Sequence, residues 1–94
     1  MSPQPEIAII HHAEQFQHRD ACRIYDWAER HRAVKRIVID LARARDATTS
    51  AFAHLVLLRR NLLRDGRDLR LANLRERAAK VYEVNRLSRV LPRR

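Results

Sequence analysis

Glycine occurs once in this chain of 94 residues, cysteine once, and proline three times. Each scarcity excludes something. One glycine rules out a glycine-rich phosphate loop, and with it the dinucleotide and nucleoside-triphosphate motifs that need several. The prolines are Pro3, Pro5 and Pro92, all near the ends, so the interior from Glu6 to Leu91 has room for one continuous fold and none for a long linker. Cys22 has no second cysteine to pair with, so an internal disulfide is excluded and the cytoplasm is the default compartment. No apolar run approaches the roughly 18 residues of a membrane span. The opening residues, MSPQPEIAII, carry neither the basic segment nor the apolar core of a secretory signal. A single domain over residues 6–92 is expected, with 1–5 and 93–94 as flexible tails.

Positive charge is abundant. The formal net charge is +9, and residues 59–94 hold 12 Lys/Arg against 4 Asp/Glu, so the excess sits in the C-terminal half. That asymmetry suits an anionic partner, and a basic nucleic-acid-binding protein is one reading of it. Arginine supplies 18 of the 20 basic residues, and aromatics make up only 5%. There is no interleaving of aromatic and basic side chains of the kind RNA modules use, which favours a solvated surface.

The apolar pattern alternates between two periods. EIAII, around Ile7 and Ile9, reads as a strand, and HHAEQFQ extends it or forms a short partner. Residues 20–31 read as a helix, with Ala21, Ile24, Tyr25 and Ala28 on one face and Asp20 as its N-cap. KRIVIDL is nearly continuous apolar from Ile37 to Ile39, the signature of a central strand covered on both faces. A second helix is expected from Thr49 to Asp65, with Ala51, Leu55, Leu58 and Leu62 as its seam and Phe52 alongside. Gly66 follows where a left-handed C-cap is wanted. RDLRLA makes a short strand, residues 75–85 a last helix, and Leu87, Val90 and Leu91 are placed to close the core. Strand and helix alternate, so the fold class is α/β, with a small, mostly parallel sheet, right-handed crossovers and packed helices.

Against this frame DATTSAFAHL, residues 46–55, resembles a known signature. STAS domains, shared by anti-sigma factor antagonists and the cytoplasmic tails of sulphate transporters, read strand, D-S-S-G-L-G-x-L, helix, Gly-rich turn, L-x-L strand. Here VIDL resembles the central strand, DGRDLRLAN the turn and next strand, and VNRLSRVL the closing segment. The similarity spans about residues 34–92. Thr48 stands where the family has its Asp, Thr49 on the phosphorylatable Ser, and Ser50 on the second Ser. Ala51, Phe52 and Ala53 replace Gly, Leu and Gly. Asp46 lies two residues before the family's acidic position.

The resemblance implies a non-enzymatic protein-interaction module, an anti-sigma factor antagonist-like signalling regulator with Thr49 as the candidate phospho-acceptor. Its partner surface would comprise Asp46, Thr48, Thr49, Ser50 and His54. It implies no cofactor. The partner would be an anti-sigma or kinase-like protein, or, if the chain is instead a STAS-like accessory subunit of an ABC lipid-transport complex, that transporter's ATPase.

Three consecutive hydroxyls exceed what a cap requires. Thr48 or Thr49 suffices to accept from a first-turn amide, leaving two for a partner or a phosphate. The remaining polar residues suggest no chemistry by spacing. His11 and His12 point to opposite faces of a strand, and His18, His31 and His54 show no Cys/His ligand spacing, so no metal site is expected. Asp40 ends the central strand, where pairing with a nearby arginine is the ordinary outcome. No nucleophile elbow or paired carboxylates appear, so catalysis is not expected.

Overall fold

A computed structural model describes residues 5–94. Among these residues five strands and three helices follow one another: β1 (Glu6–Ile10), β2 (Gln15–Phe16), α1 (His18–Arg30), β3 (Arg36–Asp40), β4 (Asp46–Ala47), α2 (Thr49–Arg64), β5 (Asp68–Ala72) and α3 (Glu76–Val84). The main sheet is parallel throughout, in the order β1-β3-β5, with Ile7 opposite Ile37 and Ile37 opposite Leu69. Both crossovers, through α1 and through α2, step in the same direction along the sheet. Right-handed connections of that kind put both helices on one face. The core accordingly lies between Ile37, Ile39, Leu69 and Leu71 of the sheet and Ala21, Ile24, Ala28, Ala51, Phe52, Leu55, Leu58 and Leu62 of the helices, all buried.

β3 is central and buried on both faces, as expected, although helices cover only one of them. Its Val38 points to the face without helices and is still only 2% exposed. It lines a hollow with Glu6, Arg70 and Arg94, and an ion pair from Arg94 to Glu6 at 3.0 Å spans this side of the sheet. Long arginine stems cover apolar surface while their heads stay wet. Residues 93–94, expected as a flexible tail, run beside β5. Leu71 N–H donates to the Pro92 carbonyl at 3.0 Å, and Arg94 N–H donates to the Leu71 carbonyl at 2.7 Å. Open ladder groups on the sheet edge supply the reason. Of residues 1–5, expected as the other tail, 1–4 lie outside the described residues.

The long helix ends as its sequence implies. Gly66 has φ 72°, Gly66 N–H donates to Leu63 O at 3.1 Å, and Arg67 N–H donates to Leu62 O at 2.9 Å. These are the two bonds of a Schellman motif. Three local expectations are corrected. The N-cap of α1 is Gln17, not Asp20: Asp20 sits three residues further on and accepts from the Gln17 N–H at 2.8 Å, the return half of a capping box. Val90 is 42% exposed, whereas Leu91 is fully buried and Leu87 packs against the core, because the chain turns after α3 instead of continuing helically. Asp40 pairs with no arginine among the described residues. Its Oδ1 accepts from Ala42 N–H at 2.9 Å and from Asn73 Nδ2 at 3.1 Å, closing the loop after β3 as an Asx turn.

Candidate functional site

The segment before α2 contains β4, and it pairs in parallel with β2. Gln15 faces Asp46 and Phe16 faces Ala47, and Thr48 N–H donates to Phe16 O at 3.0 Å. Phe16 anchors this ladder, being fully buried against Phe52 with ring centroids 6.3 Å apart. The ladder is only two residues long, but each strand leads directly into a helix. It therefore sets the N-termini of α1 and α2 side by side at the carboxyl end of the main sheet, the edge at which open α/β sheets bind ligands.

The three hydroxyls of α2 have three different partners. Thr48 is the N-cap: its Oγ1 accepts from Ala51 N–H at 3.0 Å. Thr49 is the first helical residue and is exposed. Its Oγ1 has only a long contact, 3.4 Å, from Nδ2 of Asn85, which donates to Val81 O at 2.7 Å. Ser50, also exposed, meets Nδ1 of His18 at 3.0 Å, on the first residue of the neighbouring helix. One hydroxyl is thus spent on the cap, one ties the two helices together, and Thr49 alone is left nearly free. The N–H groups of Thr49 and Ser50 belong to the first turn, which has no intrahelical carbonyl to receive them.

Asp46 is half-buried in β4. Its Oδ1 accepts from Ala47 N–H at 2.9 Å and lies 4.0 Å from Nε of Arg77 on α3, so the carboxylate is engaged toward α3. His54, one turn beyond Ser50, is half-buried, its ring 4.9 Å from that of His18 and 5.2 Å from that of Tyr25. The structure thus brings Thr48, Thr49, Ser50 and His54 onto the first two turns of α2, with Asp46 at their foot. It adds neighbours that the sequence pattern did not reveal: His18 and Cys22 from α1, and Asn85 from the end of α3. Spacing along α1 pairs His18 with Cys22 at i, i+4. Nothing local in the sequence connects that pair to His54.

Two further charged groups hold the frame. Arg67 is 3% exposed, the one buried charged residue among those described. Its Nε donates to Val34 O at 2.7 Å, and its Nη2 donates to Ala28 O and His31 O, each at 3.0 Å. Ala28 and His31 belong to the last turn and cap of α1, whose carbonyls lack helical partners and carry the negative end of the helix dipole. A guanidinium buried without a carboxylate is stabilised there by converging carbonyls. Asp68, the next residue, is half-buried and engages different partners. Burial acts to raise its pKa, but hydrogen bonds from Arg70 and from Leu69 N–H, together with the Arg59 guanidinium, outweigh burial and hold the carboxyl below its ordinary value.

These elements define a two-layer α/β domain with a parallel three-stranded sheet and helices on one face. Among solved structures, the crystal structure of a "putative anti-sigma factor antagonist" from Thermotoga maritima is similar to it, with a TM-score of 0.71 and 14% identity over 95% of this chain and 81% of that one. The STAS-like fold expected from the sequence is therefore the fold observed. No protein-family model and no curated protein sequence matches the chain. Among the described residues no helix is long and apolar enough to cross a membrane.

Proposed function

We propose that this protein is a non-enzymatic interaction module, an anti-sigma factor antagonist-like regulator that docks on a protein partner through the face formed by Asp46, Thr48, Thr49, Ser50 and His54. One observation carries the reading. Thr49, which the STAS resemblance aligns with the phosphorylatable serine, is the hydroxyl of the three that neither caps α2 nor ties it to α1, and it stands exposed at the helix start. The fold supports the same reading, because the structure it resembles is that of a putative anti-sigma factor antagonist.

Phosphorylation of Thr49 acts through charge. A phosphate adds about −1.5 to −2 charges, and the free amides and dipole at the start of α2 hold it in place. A partner surface complementary to the neutral face then meets a desolvated anion, and the contact is lost.

The test begins with a photo-crosslinker in place of Ala53, an exposed residue on the second turn of α2. The captured protein is identified, purified and titrated against wild type, Thr49→Glu and Arg30→Glu. Arg30 lies at the opposite end of α1 from this face, so it serves as the control. Weakened binding for Thr49→Glu alone is expected. Equal affinity for all three removes this face as the docking surface. Mass spectrometry of protein from its native cells reads the switch: phosphate on Thr49 supports it, and phosphate confined to Ser50 moves the acceptor by one residue.

A further inference from the structure

We propose that His18, Cys22 and His54 form a zinc site that joins α1 to α2. One ligand atom from each lies within 4.8 Å of those of the other two. His18 and Cys22 occupy adjacent turns of α1 at i, i+4, and His54 faces them from α2. Two imidazoles and one thiolate form a donor set of the kind that holds Zn²⁺ tetrahedrally, with the fourth position left for water or another ligand. Zinc–nitrogen and zinc–sulfur bonds at the tetrahedral angle put the donors about 3.3–3.6 Å apart. Closing onto an ion therefore takes side-chain movements of about 1 Å, without displacement of either helix.

Three details of the site favour a metal over a chance meeting of side chains. His18 is exposed whereas Cys22 and His54 are half-buried, which leaves one open side for the fourth ligand. The Ser50 hydroxyl lies 3.0 Å from His18 Nδ1. With Nδ1–H donating to that oxygen, Nε2 is left with its lone pair for the ion, the outer-shell arrangement typical of metal-bound histidine. Tyr25 packs against the His54 ring, and its hydroxyl is hydrogen-bonded to Asn61, so the ring is fixed from behind. Among the described residues no carboxylate joins the cluster, which disfavours Ca²⁺ and Mg²⁺. Bound zinc fixes the orientation of His18, and through it Ser50, on the surface proposed for docking. The site itself does not depend on that proposal.

The experiment uses the full chain freed of metal with a chelator. Co²⁺ is added as a spectroscopic probe and then displaced with Zn²⁺. One equivalent of Co²⁺ should give the strong visible bands of a tetrahedral ion and a thiolate charge-transfer band, and Zn²⁺ should abolish both. Cys22→Ser should lose the thiolate band. Cys22→Ser and His54→Gln should each weaken Zn²⁺ binding at least tenfold, and Ser50→Ala by about tenfold. His12→Ala, on a histidine outside the cluster, should change nothing. Circular dichroism of each metal-free variant establishes that it is folded. Absence of the thiolate band from folded wild type overturns the proposal, as does Zn²⁺ affinity unchanged in Cys22→Ser and His54→Gln. No partner enters this assay, so its failure leaves the docking reading standing, and failure of the docking test leaves the site standing.

Discussion

Replacing Arg67 with methionine keeps most of the buried stem and removes the guanidinium, which isolates what that group contributes. Three carbonyls lose a donor: Val34, Ala28 and His31. They are not equivalent. Ala28 O still receives His31 N–H at 3.3 Å, and His31 O still receives Val34 N–H at 3.0 Å, whereas among the described residues Val34 O accepts from Arg67 alone. Orphaning the Val34 carbonyl costs about 1–3 kcal/mol, and losing a charged donor at each of the others costs about 1 kcal/mol more. Relief of the desolvation borne by the buried cation offsets part of this. The net expectation is about 3 kcal/mol, out of a total of about 5–15 for a domain of this kind. With a urea m-value of about 1–3 kcal/mol/M, the midpoint should fall by about 1–3 M at unchanged slope. Arg67→Lys should recover only a fraction, because an ammonium cannot span three carbonyls as the planar fork does. A midpoint for Arg67→Met within error of wild type refutes the reasoning. It would mean that water replaces the guanidinium at the end of α1 without cost.

Other expectations rest on single features. Leu58→Ala, in the fully buried seam of α2, should cost about 2–5 kcal/mol in the same urea assay; a wild-type midpoint would contradict the packing. Thr48→Ala should cost about 1 kcal/mol through loss of the cap, whereas Thr49→Ala should be nearly neutral, and thermal melts of the pair separate the two roles. The folded Asp68 carboxyl stays ionised to lower pH than it does in the unfolded chain, so its contribution is complete above the ordinary value of 3.8 and is lost as pH falls through and below that point. Asp68→Asn should accordingly flatten the acid limb of the stability profile while leaving its shape near neutrality unchanged.

Much of the architecture was legible along the chain because short-range physics decides it. The seam Ala51, Leu55, Leu58 and Leu62 has helical period, Gly66 stands where only a left-handed residue closes a Schellman motif, and the alternating elements dictate a parallel sheet. The cap of α2 was legible too, since a run of hydroxyls just before a helical apolar pattern supplies an N-cap. What each hydroxyl does was not. That is decided by the two-residue β2–β4 ladder, too short to carry a periodic signal, which aligns two helix starts and so turns Ser50 toward His18 while leaving Thr49 free. The same alignment brings His54 to His18 and Cys22, residues 32 or more positions apart in the chain, so ligand spacing along the sequence could not reveal the cluster. Arg67 makes the point from the opposite side. In sequence it is one arginine among 18 and reads as surface; only the docking of the α1 terminus against the turn after α2 gives it carbonyls enough to be buried. Periodicity and caps belong to a segment and can be read from it. Partners contributed by another segment exist only once the chain has closed.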